Sequence, residues 1–186
     1  MNREEWLTQA ASELESIFPH LIRSYNLDEP TKYTCSFPLG SRKAIGQAWP
    51  AQSSKGRVHE ILISPTLSES MRVLDVLAHE KIHDAVGHEF GHKGPFRKVA
   101  KEIGLEGKMT ATVAGQKFID MASPIITMLG EYPHDELVAP DRKKQTTRML
   151  KFECDTCGLV YRTSNKWRDK VLFSPCPDYD CPGSMT

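Results

Sequence analysis

Several features are missing from this chain of 186 residues, and each absence narrows its class. No apolar run approaches the roughly 18 residues that a membrane-spanning helix requires, so we expect no membrane partner. Net charge is also missing: 24 Lys and Arg balance 24 Asp and Glu, so no overall field attracts nucleic acid or membrane. The start of the chain, MNREEW, lacks the pattern of a secretory signal peptide. We therefore expect a cytoplasmic protein, with association with the nucleoid as a further possibility.

The composition indicates one domain with a small appendage. Hydrophobic residues make up 39% of the chain and charged residues 26%, which is typical of globular proteins with a sizeable core. Residues 141–170 hold nine Lys or Arg against four acids, whereas residues 1–30 hold two against six. This difference in charge along the chain predicts a domain boundary near Pro140. We predict a first domain at 1–140, followed by a basic linker and a second domain at 141–186. We also expect the protein to be a monomer.

The central feature is a histidine-rich stretch at 79–92, with the sequence HEKIHDAVGHEFGH. It opens with H-E-x-x-H, and residues i and i+4 lie on one face of a helix. His79 and His83 can therefore direct two imidazole nitrogens at one zinc ion, about 2.0–2.1 Å away. Glu80 can take a proton from a water on that ion, so that hydroxide attacks a polarised carbonyl. The pattern is typical of a zinc metalloprotease.

The surroundings of the motif make coincidence a poor explanation. A chance H-E-x-x-H in a chain of this length is expected on the order of a few per cent of the time. The residues before it, at 67–79, have apolar side chains at helical spacing, and Ser68 is the predicted N-cap. Two other histidines, His20 and His59, have no partner at ligand spacing, and we expect them to be structural or surface residues.

A catalytic zinc ion usually has three protein ligands and one position for water. His88 follows His83 by five residues, about 140° round a continued helix, so only a break would bring it back. His92 follows two glycines that permit such a break, and Pro95 suits the first turn of a new helix. We predict His92 as the third ligand, with His88 as the alternative.

The elements around the motif predict an α+β fold. Residues 3–25 have the spacing of an amphipathic helix, which Pro19 should kink or split. Short strands are predicted at 33–39, 44–50 and 58–64, ahead of the helix that carries the motif. Three strands followed by this helix form a zincin-like order, in which an extended peptide can pair with the strand nearest the cleft.

Two further helices are predicted after the motif, at 95–104 and at 113–129, the second interrupted near Pro124. A turn follows at Tyr132-Pro-His134. Tyr132 and His134 are candidates for stabilising the oxyanion of a tetrahedral intermediate. The alternative is a loop packed under the ribbon.

The second domain contains two cysteine pairs, Cys154-x-x-Cys157 and Cys176-x-x-x-x-Cys181, separated by eighteen residues. In an intracellular chain this spacing favours metal binding over disulfides. Four thiolates complete the coordination of a zinc ion and leave no position for substrate, so this ion is structural. We therefore predict a four-cysteine zinc ribbon and two zinc ions per chain, one catalytic and one structural.

Basic residues lie among aromatic ones in the linker and the ribbon. Such residues can bind phosphates, and an exposed tryptophan can stack on unpaired bases. The alternative is a solvated basic surface with a packed tryptophan. The candidate nucleic-acid-binding residues are Lys143, Lys144, Arg148, Lys151, Arg162, Lys166, Trp167 and Arg168.

The motifs resemble those of the SprT-like metalloproteases, a family that includes the Spartan proteases of DNA–protein crosslinks. The resemblance covers about residues 1–105 and 150–183. It implies a zincin-like domain, peptide-bond hydrolysis, a C-terminal zinc ribbon, and DNA, single-stranded or in complex with protein, as a partner. The segment from Leu129 to His134 is more similar to phage and bacterial members. The residues that carry the likeness are His79-Glu80-x-x-His83, the eight-residue gap, His92-Lys-Gly-Pro-Phe96, and the run from Lys98 to Gly104.

Residues and resemblance together predict a zinc-dependent endopeptidase that acts on proteins associated with or crosslinked to DNA. Glu80 would activate water and later pass the proton to the leaving amine. The rival function is a non-proteolytic nucleic-acid-binding adaptor, in which the ribbon acts and the zincin domain is a scaffold. An intact Glu80 favours the enzyme, because a scaffold needs only the metal ligands.

Overall fold

The computed structural model describes residues 1–40, 43–138 and 149–186, and it divides the chain into two compact units, Met1–Ala139 and Pro140–Thr186. The first unit combines helices with two small sheets, and the second is built on a two-stranded sheet. Among the described residues, no helix is long and apolar enough to cross a membrane.

The described part of the first unit contains four helices and five strands. The helices are α1 (Arg3–Ile17), α2 (Ser70–Val86), α3 (Pro95–Glu102) and α4 (Gln116–Leu129). The strands are β1 (Thr31–Cys35), β2 (Gly46–Trp49), β3 (His59–Ile63), β4 (Leu105–Lys108) and β5 (Ala111–Ala114). Short 3₁₀ turns lie at Pro19–Leu21, Ala51–Ser53 and His88–Phe90.

The predicted three-stranded sheet is present, in the order β1-β3-β2. β1 runs parallel to β3 and β2 runs antiparallel to it, so β2 is an edge strand. β1 begins at Thr31 and ends at Cys35, and the prediction of a strand at 33–39 was wrong at both ends. The chain leaves the sheet because Pro38 has no amide hydrogen and Gly40 turns it, with a φ of 75°.

α1 covers the core from one side. Asn2 caps it: the Asn2 side chain accepts the Glu5 amide, and the Glu5 carboxylate accepts the Asn2 amide. Trp6 and Leu14 are fully buried on its inner face. The helix ends at Ile17, so the prediction of a helix as far as residue 25 was too long.

α2 passes through the centre of the first unit, where Leu74, Leu77 and Ala78 are fully buried. Its N-cap is Glu69, and the prediction of Ser68 was wrong. The Glu69 carboxylate accepts hydrogen bonds from the amides of Met71 and Arg72, at 2.8 and 2.6 Å, because its side chain is long enough to reach them in the first turn.

The segment between α3 and α4 differs most from expectation. A β-hairpin of β4 and β5 occupies it, so α4 starts at Gln116 and not at 113. The predicted break near Pro124 is also wrong, because α4 continues through that residue. A proline removes one helical hydrogen bond, and the burial of Phe118, Ala122 and Ile125 holds the helix on the core despite that loss.

The described part of the second unit pairs β6 (Leu150–Glu153) with β7 (Val160–Thr163), antiparallel. A short helix, α5 (Arg168–Val171), follows and was not predicted. Phe152 and Met185 form the buried centre together with two of the cysteines. A core this small is typical of units that a bound metal ion can stabilise.

Candidate metal centres

Three histidines lie together at one end of α2. The His92 Nε2 atom is 3.2 Å from the Nε2 atoms of both His79 and His83. One N–H group donates well to a single acceptor, so a hydrogen bond explains only one of these contacts. Zinc–nitrogen bonds of about 2.0–2.1 Å in a tetrahedral site place two ligands about 3.3 Å apart. The spacing of the three nitrogens therefore fits one tetrahedral ion.

The loop after α2 returns His92 to the other two histidines. α2 ends at Val86 and is followed by its C-cap Gly87, with a φ of 105°; a 3₁₀ turn then leads to Gly91, with a φ of 50°. Gly94 then enters α3 with a φ of 48°. These left-handed conformations suit glycine and reverse the chain direction, as the sequence predicted for this loop.

The ring of Phe96 contacts all three imidazoles. Its ring centroid is 4.9 Å from that of His79, 4.4 Å from that of His83 and 5.0 Å from that of His92. The Phe96 side chain is fully buried in the first turn of α3. One aromatic ring therefore restricts the orientation of all three candidate ligands.

A threonine of the hairpin orients the first histidine. The Thr112 Oγ1 atom lies 2.8 Å from His79 Nδ1, so that Nδ1–H can donate to it and leave a lone pair on Nε2. Arg72 and Asp75 hold the hairpin beside α2: Arg72 donates to the Thr112 carbonyl, and the Asp75 carboxylate accepts the Ala114 amide. The sequence analysis missed Thr112, because no local pattern connects it with the motif.

The histidines are in the protonation state that binds metals. Burial, reinforced by the neighbouring His92 and Arg72, lowers the pKa of His79 to about 4. Burial is also the main cause that lowers the pKa of His83 to about 3. Neutral imidazoles at physiological pH can therefore offer their lone pairs to an ion.

Glu80 points towards the edge strand β2. Burial raises the pKa of its carboxyl to about 8, and the Ala48 amide, which donates to the carboxylate, opposes this shift. A Cβ atom at Gly46 would lie 2.5 Å from Glu80 Oε1, so only glycine leaves the carboxylate its space. The strand thus holds Glu80 by one hydrogen bond from Ala48 and leaves space for its carboxylate at Gly46.

The three histidines and Glu80 line an open cavity of about 440 Å³. β2 forms one wall of it, and the turn and strand at 110–112 form another. Arg72 also lines the cavity and contributes a cation that the sequence analysis did not single out. An extended substrate could therefore enter beside the strand edge.

Tyr132 and His134, the oxyanion candidates, are not among the residues that line this cavity in the described structure. Tyr132 is buried against Trp6, with ring centroids 5.1 Å apart. His134 Nε2 lies 2.9 Å from the Pro65 carbonyl oxygen. Both residues therefore belong to a packed turn of the first unit and not to the lining of this cavity.

His88, the alternative third ligand, does not belong to the three-histidine group. Its ring is stacked beside that of His83, with centroids 6.2 Å apart. The structure instead groups His88 with His59 and Asp84, at a separate position.

The four ribbon cysteines form a second cluster. The Sγ atoms of Cys154 and Cys181 are 3.6 Å apart, as are those of Cys157 and Cys176. Zinc–sulfur bonds of about 2.3 Å give tetrahedral ligands about 3.8 Å apart, whereas a disulfide needs about 2.05 Å. The amides of Cys157 and Thr156 lower the pKa of the Cys154 thiol to about 7, which favours the thiolate. The cluster fits a metal ion.

Three of the nucleic-acid-binding candidates, Lys143, Lys144 and Arg148, lie outside the described residues. Within the ribbon, Lys151 forms an ion pair with Glu153 and lies opposite Arg162 in the strand pairing. Residues 149–186 hold five basic and five acidic side chains, so the basic excess of the sequence belongs to the segment before the ribbon.

The remaining candidates surround one tryptophan. Trp167 is 44% exposed, and the Nζ atoms of Lys166 and Lys170 lie 5.3 and 5.2 Å from its ring centre. Arg168 is exposed next to it. This tryptophan is therefore not packed into the ribbon core, and the two lysines make cation–π contacts with its ring.

The described elements define a mixed α/β protein in which histidine and cysteine groups can hold metal ions. Comparisons with models of protein families, with curated proteins and with solved structures found no match. The likeness to the SprT-like metalloproteases therefore rests on the motifs of this chain.

Proposed function

We propose that this protein is a zinc-dependent endopeptidase with an active site of His79, His83, His92 and Glu80. The observation that carries the proposal is the position of a buried carboxylate beside three convergent imidazoles in an open cavity. Three ligands leave one position for water and substrate, as in catalytic zinc sites. The four-cysteine cluster has no such position, and its ion would be structural.

The chain supplies the proton transfers of the reaction. Zinc, when bound by the three imidazoles, would acidify a water and polarise the scissile carbonyl. Glu80 accepts the proton of the attacking water and delivers it to the leaving amine. A carboxylate whose pKa is raised by burial is a stronger base than an exposed one, which favours uptake of the water proton, and the Ala48 amide keeps it directed at the cavity.

The edge of β2 supports a polypeptide substrate. The Ile45 carbonyl accepts the Ser64 amide, so the backbone groups of Ile45 and, by alternation, Gln47 face β3. Those of Gly46 and Ala48 consequently lie on the opposite edge, where Glu80 is found. An extended peptide that adds to this edge would pass the reactive carboxylate.

We further propose that the substrates are proteins bound or crosslinked to DNA. Trp167 and its two lysines can stack on a base and contact phosphates, and the segment before the ribbon carries the basic excess. The same observations favour a second candidate function, a non-proteolytic nucleic-acid-binding adaptor. This adaptor would bind DNA and leave peptide bonds intact.

The test compares cleavage of casein and of a DNA-bound protein by wild type, Glu80→Gln and Glu102→Gln. Glu102 is a half-exposed acid of α3 and serves as the matched control. We expect loss of cleavage in Glu80→Gln alone, with metal content equal to that of wild type, and loss of one metal in His92→Ala. Cleavage that survives Glu80→Gln would overturn the enzyme. DNA binding without cleavage in any variant would support the adaptor.

A further inference from the structure

We propose that His59, Asp84 and His88 form a third metal site, distinct from the three-histidine and four-cysteine clusters. One ligand atom of each residue lies within 4.8 Å of the others. The residues come from three elements: β3, the last turn of α2, and the 3₁₀ turn that follows it. The proposal does not depend on the proposed protease function.

Two buried imidazole nitrogens in this cluster lack hydrogen bonds within the described structure. His59 is only 1% exposed, and its Nδ1 atom has no hydrogen-bond partner, although it lies 2.6 Å from Asp84 Oδ1. The Nε2 atom of His88 is also shielded from solvent and unpartnered. Buried polar atoms without partners are costly and rare. A single ion bound by both nitrogens would satisfy them together.

The outer nitrogen of His59 supports the same interpretation. His59 Nε2 is 3.2 Å from Glu29 Oε2, so Nε2–H donates to a carboxylate, as is usual for histidines that bind metals. With Nε2–H directed at Glu29, the lone pair of Nδ1 faces the Asp84 oxygen, and a cation bound to both atoms would remove the repulsion. A direct ion pair between His59 and Asp84 would account for this contact, but it would leave the His88 nitrogen without a partner in the described structure.

Asp84 keeps coordination capacity despite its other contacts. Arg23 Nη1 donates to Asp84 Oδ1 and Oδ2, at 3.1 and 3.2 Å, and Thr31 Oγ1 lies 3.3 Å from Oδ2. Each carboxylate oxygen has two lone pairs, so Oδ1 can accept Arg23 and still bind an ion. Asp84 and Glu29 together offset the charge of the ion, while Arg57 pairs with Glu29 from an exposed position.

The donor set selects the class of metal. Two imidazoles and one carboxylate suit zinc and neighbouring ions such as cobalt, whereas calcium and magnesium prefer oxygen ligands. Asp84 directly follows His83 in the chain. An ion at this site would therefore connect β3 to the end of α2 and hold the helix turn that carries His83.

The test is the number of zinc ions per chain after equilibrium dialysis of the full chain against micromolar zinc. We expect three in wild type, two in His88→Gln, two in His92→Ala and one in the double variant. His20→Gln, a change of a half-exposed histidine, is the matched control and should keep three. His88→Asp, which offers a carboxylate oxygen in place of the imidazole nitrogen, should also keep three zinc ions.

The outcomes separate this site from the catalytic one. Two ions in wild type, one of them lost in His92→Ala and the other in Cys157→Ser, would overturn the third site and leave the protease proposal intact. An ion lost in His88→Gln but not in His92→Ala would support the third site and oppose the catalytic one. If His88→Gln does not fold, the wild-type count is compared with the losses in His92→Ala and Cys157→Ser, and an ion that neither variant loses supports the third site.

Discussion

Thr112 Oγ1 lies 2.8 Å from His79 Nδ1, although 33 positions separate the two residues in the chain. This contact fixes which nitrogen of His79 carries the proton and turns the other towards His92. The hairpin that holds Thr112 therefore belongs to the metal site as much as the helix does.

Replacement of Thr112 by valine should weaken metal binding at the histidines by roughly 10–100-fold, because the outer hydrogen bond of His79 is lost. Valine has nearly the same shape, so packing is preserved. Thr112→Ser keeps the hydroxyl and should bind zinc nearly as wild type does. Competition with a zinc chelator measures the affinity, and equal affinities in all three proteins would contradict the role of the hydroxyl.

Gly46→Ala should impair catalysis without removing metal. The new Cβ atom would meet Glu80 Oε1 at 2.5 Å and Val76 Cγ1 at 2.6 Å, so the carboxylate must move. Displacement of a catalytic group by about 1 Å can lower kcat by about 100-fold. Gly56→Ala is the control, since its nearest contact is 3.7 Å. Peptidase rates and elemental analysis are the measurements, and an unchanged rate would argue against Glu80.

Glu80 should make stability fall with pH when the catalytic ion is absent. Its pKa of about 8 in the folded protein exceeds the ordinary 4.5, so the stabilisation present below about pH 4.5 is lost as pH rises to about 8. His92→Ala removes the ion, and His92→Ala/Glu80→Gln removes the titrating group as well. As the pH rises from about 4.5 to about 8, the Tm of the double variant should increasingly exceed the Tm of His92→Ala.

The comparison isolates Glu80 from the other titrating groups of the site. The lowered pKa values of His79 and His83 act in the opposite direction, destabilising the fold in acid, but both variants share them. Parallel pH profiles of Tm would show that Glu80 is not held in a desolvated position.

Cys157→Ser should release one metal ion and unfold the ribbon, because the small core around Phe152 and Met185 depends on the ion. The first unit should keep its zinc and its structure. Cys35→Ser is the matched control, since Cys35 is a free cysteine of the first unit. Elemental analysis with limited proteolysis distinguishes the two, and a folded ribbon in metal-depleted Cys157→Ser would contradict the structural role.

Trp167→Ala should weaken binding of single-stranded DNA by about 1–3 kcal/mol, roughly 5- to 150-fold, through loss of stacking on a base. Trp167→Phe retains an aromatic face and should lose less. Fluorescence anisotropy of a labelled oligonucleotide provides the affinities. If alanine and phenylalanine bind as wild type does, the exposed tryptophan serves another purpose.

Some features follow from the sequence alone, since they depend on spacing within a few residues. The four-residue interval between His79 and His83 places both side chains on one face of any helix. The short spacing within each cysteine pair likewise allows both thiolates to bind one metal ion. The return of His92 was also predictable, because glycines in the intervening loop permit the necessary turn.

Other features were decided only by the tertiary structure. The sequence analysis treated His59 as a residue without a partner, yet folding brings it to Asp84 and His88. Thr112 and Ala48 reach the site from strands whose distance from the motif in sequence carries no signal. Helical periodicity is a local property that a sequence displays directly, whereas contacts between elements arise from packing of the whole core. That is why the groups of residues that could hold a metal ion were predictable, whereas the residues that contact them from other strands were not.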